Sequence, residues 1–165
     1  MKKFNRELNS HKYGIRVNGK TYTDEKDIDI NWSIYETIPI ADFKKYKVGV
    51  CWDFVNYQHS VFKTRGLHDT SYFYMGLLND DPNDIVTHTF SIVDIDGKKY
   101  WVESSWYKHQ GVHTVKSFKD VVKYLNEDYD IKEFEVYEYN PDGLDNNLTN
   151  SEYFKLVTKN EIWSS

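Results

Sequence analysis

Two runs rich in β-branched and aromatic residues, Thr87–Ile95 and Lys98–Trp106, stand on either side of Asp96-Gly97. An Asp-Gly pair between such runs is a strong short-range signal for a β-hairpin, because both turn positions must take positive φ. The turn also decides which side chains share a face. With two loop residues, Ile95 pairs with Lys98, His88 falls opposite Ser105, and Phe90 falls opposite Glu103. Cross-strand partners share a face, as do residues two apart along one strand. His88 and Glu103 then become diagonal neighbours, with Cβ atoms about 7 Å apart or somewhat less. Asp94–Lys98 also suits a three-residue turn with a glycine bulge. That register pairs His88 with Ser104 and turns Glu103 to the opposite face. The patterning leaves both registers open.

Other segments build outward from this hairpin. Asn18-Gly19 within Tyr13–Thr23 marks a second, shorter hairpin, and the polar run Asp24–Asp29 reads as a loop. From Cys51 to about Arg65, the residues Cys51, Phe54, Val55, Gln58, Val61 and Phe62 recur at helical spacing on one face. Gly66 ends that helix, and the poor helix formers Gly49 and Val50 place Cys51 in its first turn. Ser71–Leu78 and Lys132–Tyr139 read as strands. Lys116–Asn126 reads as an amphipathic helix with Phe118, Val121, Val122 and Leu125 inward, opened by an approximate capping box of Ser117 and Asp120. Thr149–Glu152 can cap a short final helix. The order predicts an α+β fold, a cysteine-bearing helix packed on an antiparallel sheet. The 165 residues suit a single domain, 1–165, with an N-terminal hairpin extension over about 1–30.

Composition limits the partners. Aromatics make up 17% of the chain against 39% hydrophobic residues in all, so much of the core must be Tyr, Phe and Trp. The net charge is −5 and the basic residues are scattered, which argues against a nucleic-acid partner. No window has the length of a membrane span, and Met1–Lys20 holds no apolar run of signal-peptide type, so a cytoplasmic protein with no membrane partner is expected. A single cysteine allows no internal disulfide.

By residue type alone, a lone cysteine is most often an apolar filler. The placement of Cys51 argues otherwise. A helix N-terminus offers unpaired N–H groups and partial positive charge, which stabilise a thiolate and can hold an oxyanion. Gly49 would let a substrate approach the backbone closely. Asp53 opposes a thiolate if it faces one; in a first helical turn its ordinary role is to complement the helix dipole.

A nucleophilic thiol needs a base. His59 lies two turns along the same helix, roughly 12 Å away at 1.5 Å per residue, and is too far. His11 has no context and His68 follows the helix end. His109 and His113 have the spacing of a metal pair only on a helix, and Gln110-Gly111-Val112 is not helical in character, so no metal and no cofactor are expected. His88 is the histidine whose neighbours can be argued. In the two-residue register, Glu103 can orient its ring and leave the other nitrogen to the thiol.

Gly49-Val50-Cys51-Trp52-Asp53-Phe54-Val55 resembles the nucleophile motif of the transglutaminase-like superfamily. In that family a glycine precedes a catalytic cysteine that opens a helix, and an acidic residue and apolar positions follow. Downstream, His88-Thr89-Phe90-Ser91-Ile92-Val93 and Tyr100-Trp101-Val102-Glu103 are similar to the family's histidine strand and the acid-bearing strand after it, about fifteen positions on. The similarity spans about Val48 to Trp106. It favours the register that joins His88 to Glu103, and it implies a papain-like α+β core. It also implies a Cys51-His88-Glu103 triad for acyl transfer on an amide or ester of a peptide or protein, with hydrolysis preferred to cross-linking. Trp52, Trp101 and Trp106 are then expected to contact substrate. The family's usual aspartate is replaced by Glu103, and the upstream glutamine of papain-like relatives is missing, with Trp32 or Tyr35 as possible substitutes. The alternative is an inactive member of the same fold that binds a peptide or glycan along a groove of Tyr72, Phe73, Tyr74, Trp101, Trp106 and Tyr107.

Overall fold

The computed structural model describes all 165 residues. In chain order its main elements are α1 (Lys2–Leu8), β1 (Lys12–Tyr13), β2 (Ile15–Val17), β3 (Lys20–Tyr22), α2 (Glu25–Asn31), α3 (Ile40–Tyr46), β4 (Val48–Gly49) and α4 (Cys51–Thr64). They continue with β5 (His68–Leu77), β6 (Ile85–Ile95), β7 (Lys98–Glu103), β8 (Gly111–Val115), α5 (Phe118–Tyr129), β9 (Phe134–Tyr139), α6 (Asn150–Val157) and β10 (Glu161–Ser164). Six strands form one antiparallel sheet in the order β10-β9-β5-β6-β7-β8. The class is α+β. No helix is long and apolar enough to cross a membrane.

The central hairpin takes the two-residue register. Ile95 pairs with Lys98 and Ile92 with Trp101, while Asp96 and Gly97 adopt φ of 51° and 75°. These are the two left-handed positions that a type I′ turn requires. The bulged alternative is therefore absent. Asn18-Gly19 turns β2 into β3 in the same way, with Val17 opposite Lys20.

Helices cover both faces of the sheet, where one helix layer was expected. His88–Val93 of β6 are buried without interruption, as in a strand sandwiched between layers. On one face Tyr74, Phe90, Ile92 and Trp101 pack with Val121, Val122 and Leu125 of α5. On the other, Phe73 packs with Trp52 and Val55, and Val93 and Val102 pack with Phe54, Tyr57 and Phe62 of α4. Gln58 of α4 donates to the Val102 carbonyl (2.9 Å) and accepts from Ser91 Oγ (2.9 Å), which locks the helix to the central strands. Residues around most of the α4 circumference are buried, including Trp52, Asp53, Asn56 and Tyr57, so α4 is a core helix and not the one-faced helix its spacing suggested. It closes with Gly66 at φ 68°, where the N–H groups of Gly66 and Leu67 bond back to Lys63 and Phe62, a Schellman ending.

The first thirty residues differ from the expected hairpin extension. They include two helices, and Phe4, Leu8, Ile15 and Ile28 enter the hydrophobic core. Asp24–Asp29 is not a loop: Asp24 caps α2 by accepting from the Lys26 N–H (3.1 Å). Ile28 is the one buried residue in that helix, so its periodicity left little trace in the sequence. At the other end, Thr149 and Glu152 form the expected capping box of α6.

Candidate active site

Cys51 is the first residue of α4 and is half-buried. The chain reaches it through β4, which pairs in parallel with β1, Lys12 opposite Val48 and Tyr13 opposite Gly49. Val50 precedes the helix in extended conformation and has no side-chain acceptor to cap it. Asp53 does half of that work from the third helical position, accepting from the Val50 N–H at 2.9 Å. Its carboxyl group also accepts from Tyr35 Oη (2.5 Å) and the Ile38 N–H (3.2 Å). Burial pushes the Asp53 carboxyl up to about 7, against the downward pull of these donors. Asp53 is thus a buried tie that fixes the start of α4, beyond the surface role that helix-dipole reasoning assigned it. Gly49 has a packing role as well. A Cβ there would lie 2.7 Å from Asp53 Cβ and 2.8 Å from the Phe43 ring, so its smallness serves the fold rather than substrate approach.

His88 and Glu103 meet across β6 and β7. His88 Nε2 lies 2.8 Å from Glu103 Oε2, and both side chains are buried. The second carboxylate oxygen, Oε1, accepts from the N–H groups of Ser104 (2.9 Å), Ser105 (2.8 Å) and Trp106 (2.9 Å) and from Ser105 Oγ (2.9 Å). The chain leaving β7 wraps the carboxylate, a nest that holds it ionised. Burial alone would lower the His88 ring pKa. The Glu103 charge and contact with the Cys51 side chain outweigh it and raise it to about 10. Burial would raise Glu103, but His88 and the surrounding donors bring it below its ordinary value. Each partner therefore favours the charged form of the other. With Nε2 committed to Glu103, Nδ1 is the nitrogen left for another partner.

Cys51 and His88 line one cavity of about 240 Å³, together with Tyr13, Ser105, Trp106 and Tyr129 among others. The Trp106 ring meets His88 edge to face at 5.6 Å and stacks on Tyr129. Behind it, His109 packs at 4.1 Å and is anchored to Asp128 Oδ2 at 2.9 Å. The other two tryptophans expected to contact substrate lie in the core. Trp52 is 3% exposed among Trp32, Tyr35 and Tyr153, and Trp101 is fully buried beneath His113 and Trp106. Both are large apolar rings on inward-facing positions, which explains why they serve as core. Phe73 and Tyr74 are also core, while Tyr107 is exposed.

Tyr13 was not singled out by its sequence. The upstream aromatics Trp32 and Tyr35 are occupied, Trp32 in a stack on Trp52 (5.2 Å) and Tyr35 in its bond to Asp53. Tyr13 instead enters the cavity, delivered by the β1–β4 bridge opposite Gly49. Burial, followed by the nearby Cys51 and Asp53, raises its phenol well above the usual tyrosine range, so the hydroxyl keeps its proton. No local motif marks it; only the long-range bridge places it beside the thiol.

Another cavity, about 750 Å³, is polar and lies away from Cys51, around the C-terminal end of α4 and the chain after β9. There His59 is held by Asp69 (3.0 Å) and Asp142 (3.0 Å), and Lys63 also reaches Asp142. His109 and His113 do not converge on a metal: His113 Nε2 meets the His109 carbonyl at 2.6 Å, and His109 is bonded to Asp128.

No protein-family model matches the chain, and no curated protein matches it. Among solved structures, it is similar to the catalytic domain of the Salmonella virulence factor SseI, at 15% identity and a TM-score of 0.41, over 68% of this chain and 72% of that one. The reading of the site rests on its own geometry.

Proposed function

We infer that the protein is a cysteine-dependent acyl-transfer enzyme with Cys51 as nucleophile, His88 as general acid and base, and Glu103 as the group that orients His88. Hydrolysis of an amide or ester in a peptide or protein is the proposed net reaction, on a core of the papain and transglutaminase-like kind. The observation that carries the reading is the buried His88–Glu103 pair, whose free Nδ1 shares a cavity with a thiol at a helix N-terminus.

The steps follow from these positions. His88 Nδ1 takes the Cys51 proton, and attack of the sulfur on the carbonyl carbon forms a C–S bond and a tetrahedral oxyanion. The N–H groups of Cys51 and Trp52 have no intrahelical acceptor and, with the Tyr13 hydroxyl, supply donors for that oxygen. Collapse expels the amine or alcohol, which takes the proton from His88 Nδ1, and leaves a thioester on Cys51. Water then attacks the thioester and gives its proton to the same nitrogen. Collapse releases the acid product, and the proton on Nδ1 returns to the Cys51 sulfur. Glu103 keeps the ring in one orientation throughout and stabilises its charged form.

Alkylation of the native protein with iodoacetamide, followed by mass spectrometry across pH, tests the assignment. Rapid modification of Cys51 that slows in His88→Ala is expected. A Cys51 that reacts no faster than a free thiol at matched pH overturns it.

A further inference from the structure

Beside the catalytic cavity lies a second one of about 720 Å³, between α2 and the β5–β6 end of the sheet. The two share Tyr13, Val86 and Thr87 as lining residues, so they lie side by side. The larger cavity is lined by the apolar Ile28, Trp32, Leu78 and Ile85, with Lys12, Glu25 and Asp29 among its polar residues. Ile85 is 46% exposed and Tyr107, at the rim, is 62% exposed. Apolar side chains that line a concavity beside the candidate reactive groups, two of them exposed, mark a binding site rather than scattered surface residues.

The backbone between the two cavities has a further property. β6 pairs with β5 from Ile85 to Asp94, all but its last residue. Its ladder with β7 ends at Ile92–Trp101. Ile85–Thr87 are therefore paired on one side only, and this one-sided segment supplies Val86 and Thr87 to both cavities. An unpaired strand edge offers alternating N–H and C=O groups, the complement of an extended polypeptide. A lipid chain or a small ester has no such groups to match.

We propose that the apolar side of the 720 Å³ cavity, at Ile28, Trp32, Leu78 and Ile85, is the specificity subsite of the enzyme, and that it takes a leucine- or phenylalanine-sized side chain of an extended peptide that runs along the free edge of β6 at Ile85–Thr87. This rests on the reading of Cys51 as the nucleophile, which the peptide's carbonyl must reach. Specificity then comes from one apolar anchor, and the edge hydrogen bonds set the register of the chain.

The test uses full-length Cys51→Ala protein with isoleucine methyl groups labelled for NMR, so that binding is read without turnover. Capped five-residue peptides carry Leu, Phe, Lys or Asp at each position in turn in an otherwise Ala-Gly background. Peptides with Leu or Phe at one position are expected to bind about tenfold tighter or more than those with Asp there, a gap in line with burying one large apolar side chain. They should shift the Ile28 and Ile85 methyl signals. Ile85→Glu and Tyr107→Ala, both at exposed positions and checked for an unchanged thermal melt, should each erase most of that preference. Equal binding of all peptides, shifts confined to other methyls, or an intact preference in both variants overturns the pocket. A decanoyl chain that shifts the same methyls while the peptides do not overturns the peptide assignment. Each of these failures leaves the alkylation result for Cys51 untouched, so the pocket and the nucleophile are judged separately.

Discussion

His88 Nε2 and Glu103 Oε2 stand 2.8 Å apart inside the protein, joined across a hairpin whose two-residue turn alone puts them on one face. Glu103→Gln keeps the size of the group and removes its charge. The ring of His88 then loses the main influence that raises its pKa. NMR titration of the imidazole should show the His88 pKa falling, and the proposed acyl transfer should slow by about a hundredfold or more, within the range of general acid–base effects. Unchanged imidazole titration and full activity in Glu103→Gln would remove this carboxylate from the proposed mechanism.

Tyr13 supplies a protonated hydroxyl to the cavity of Cys51 and His88. In Tyr13→Phe the ring that walls the cavity stays and the donor goes. A donor to the oxyanion acts in the transition state, so kcat should drop by about a hundredfold or more with little change in KM, in keeping with loss of one such donor. The thermal melt should stay within a degree or two. A variant that alters KM alone assigns Tyr13 to substrate contact instead.

Much of this arrangement was legible where a local rule acts. Asp96-Gly97 and Asn18-Gly19 announced hairpins and both form, the first in one of the two registers its residues left open. Helical spacing and a following glycine located α4, and Thr149–Glu152 announced α6 through its cap. What escaped was decided by tertiary contact. α1 shows only Phe4 and Leu8 to the core, and α2 only Ile28, too few for a periodic signal. Trp52 and Trp101 look like binding residues by type, yet the layers on both faces of the sheet enclose them. Tyr13 lies beside Cys51 because β1 pairs with β4, and no property of its own neighbours encodes that bridge.

Gly49 gives a test of the link between packing and site. Gly49→Ala sets a methyl 2.7 Å from Asp53 Cβ and 2.8 Å from the Phe43 ring, closer than carbon atoms tolerate. The buried Phe43 ring and the start of α4 must move apart. Chemical denaturation should show a loss of about 1–3 kcal/mol, the usual cost of overpacking a core. Because the strain falls two residues before Cys51, its alkylation rate should change as well. Full stability in this variant would show that the start of α4 is looser than its contacts indicate.

Asp53 ties the pH dependence of stability to the same helix start. Burial holds its carboxyl at about 7, above the 3.8 of an unperturbed aspartate. The folded state therefore binds this proton more tightly than the unfolded chain. The resulting stability is fully present below about pH 4 and is lost as pH rises through about 7. Above that, folding must keep a buried carboxylate charged, at a cost on the order of 4 kcal/mol at 1.36 kcal/mol per pKa unit. The amide introduced by Asp53→Asn has one carbonyl oxygen to accept from the Val50 N–H or Tyr35 Oη, but carries no charge. Denaturation midpoints measured from pH 4 to pH 8 should fall more steeply in the wild type than in Asp53→Asn, since His88 and Glu103 titrate alike in both. Parallel curves would show that Asp53 is ionised through the whole range, and that its three donors outweigh its burial.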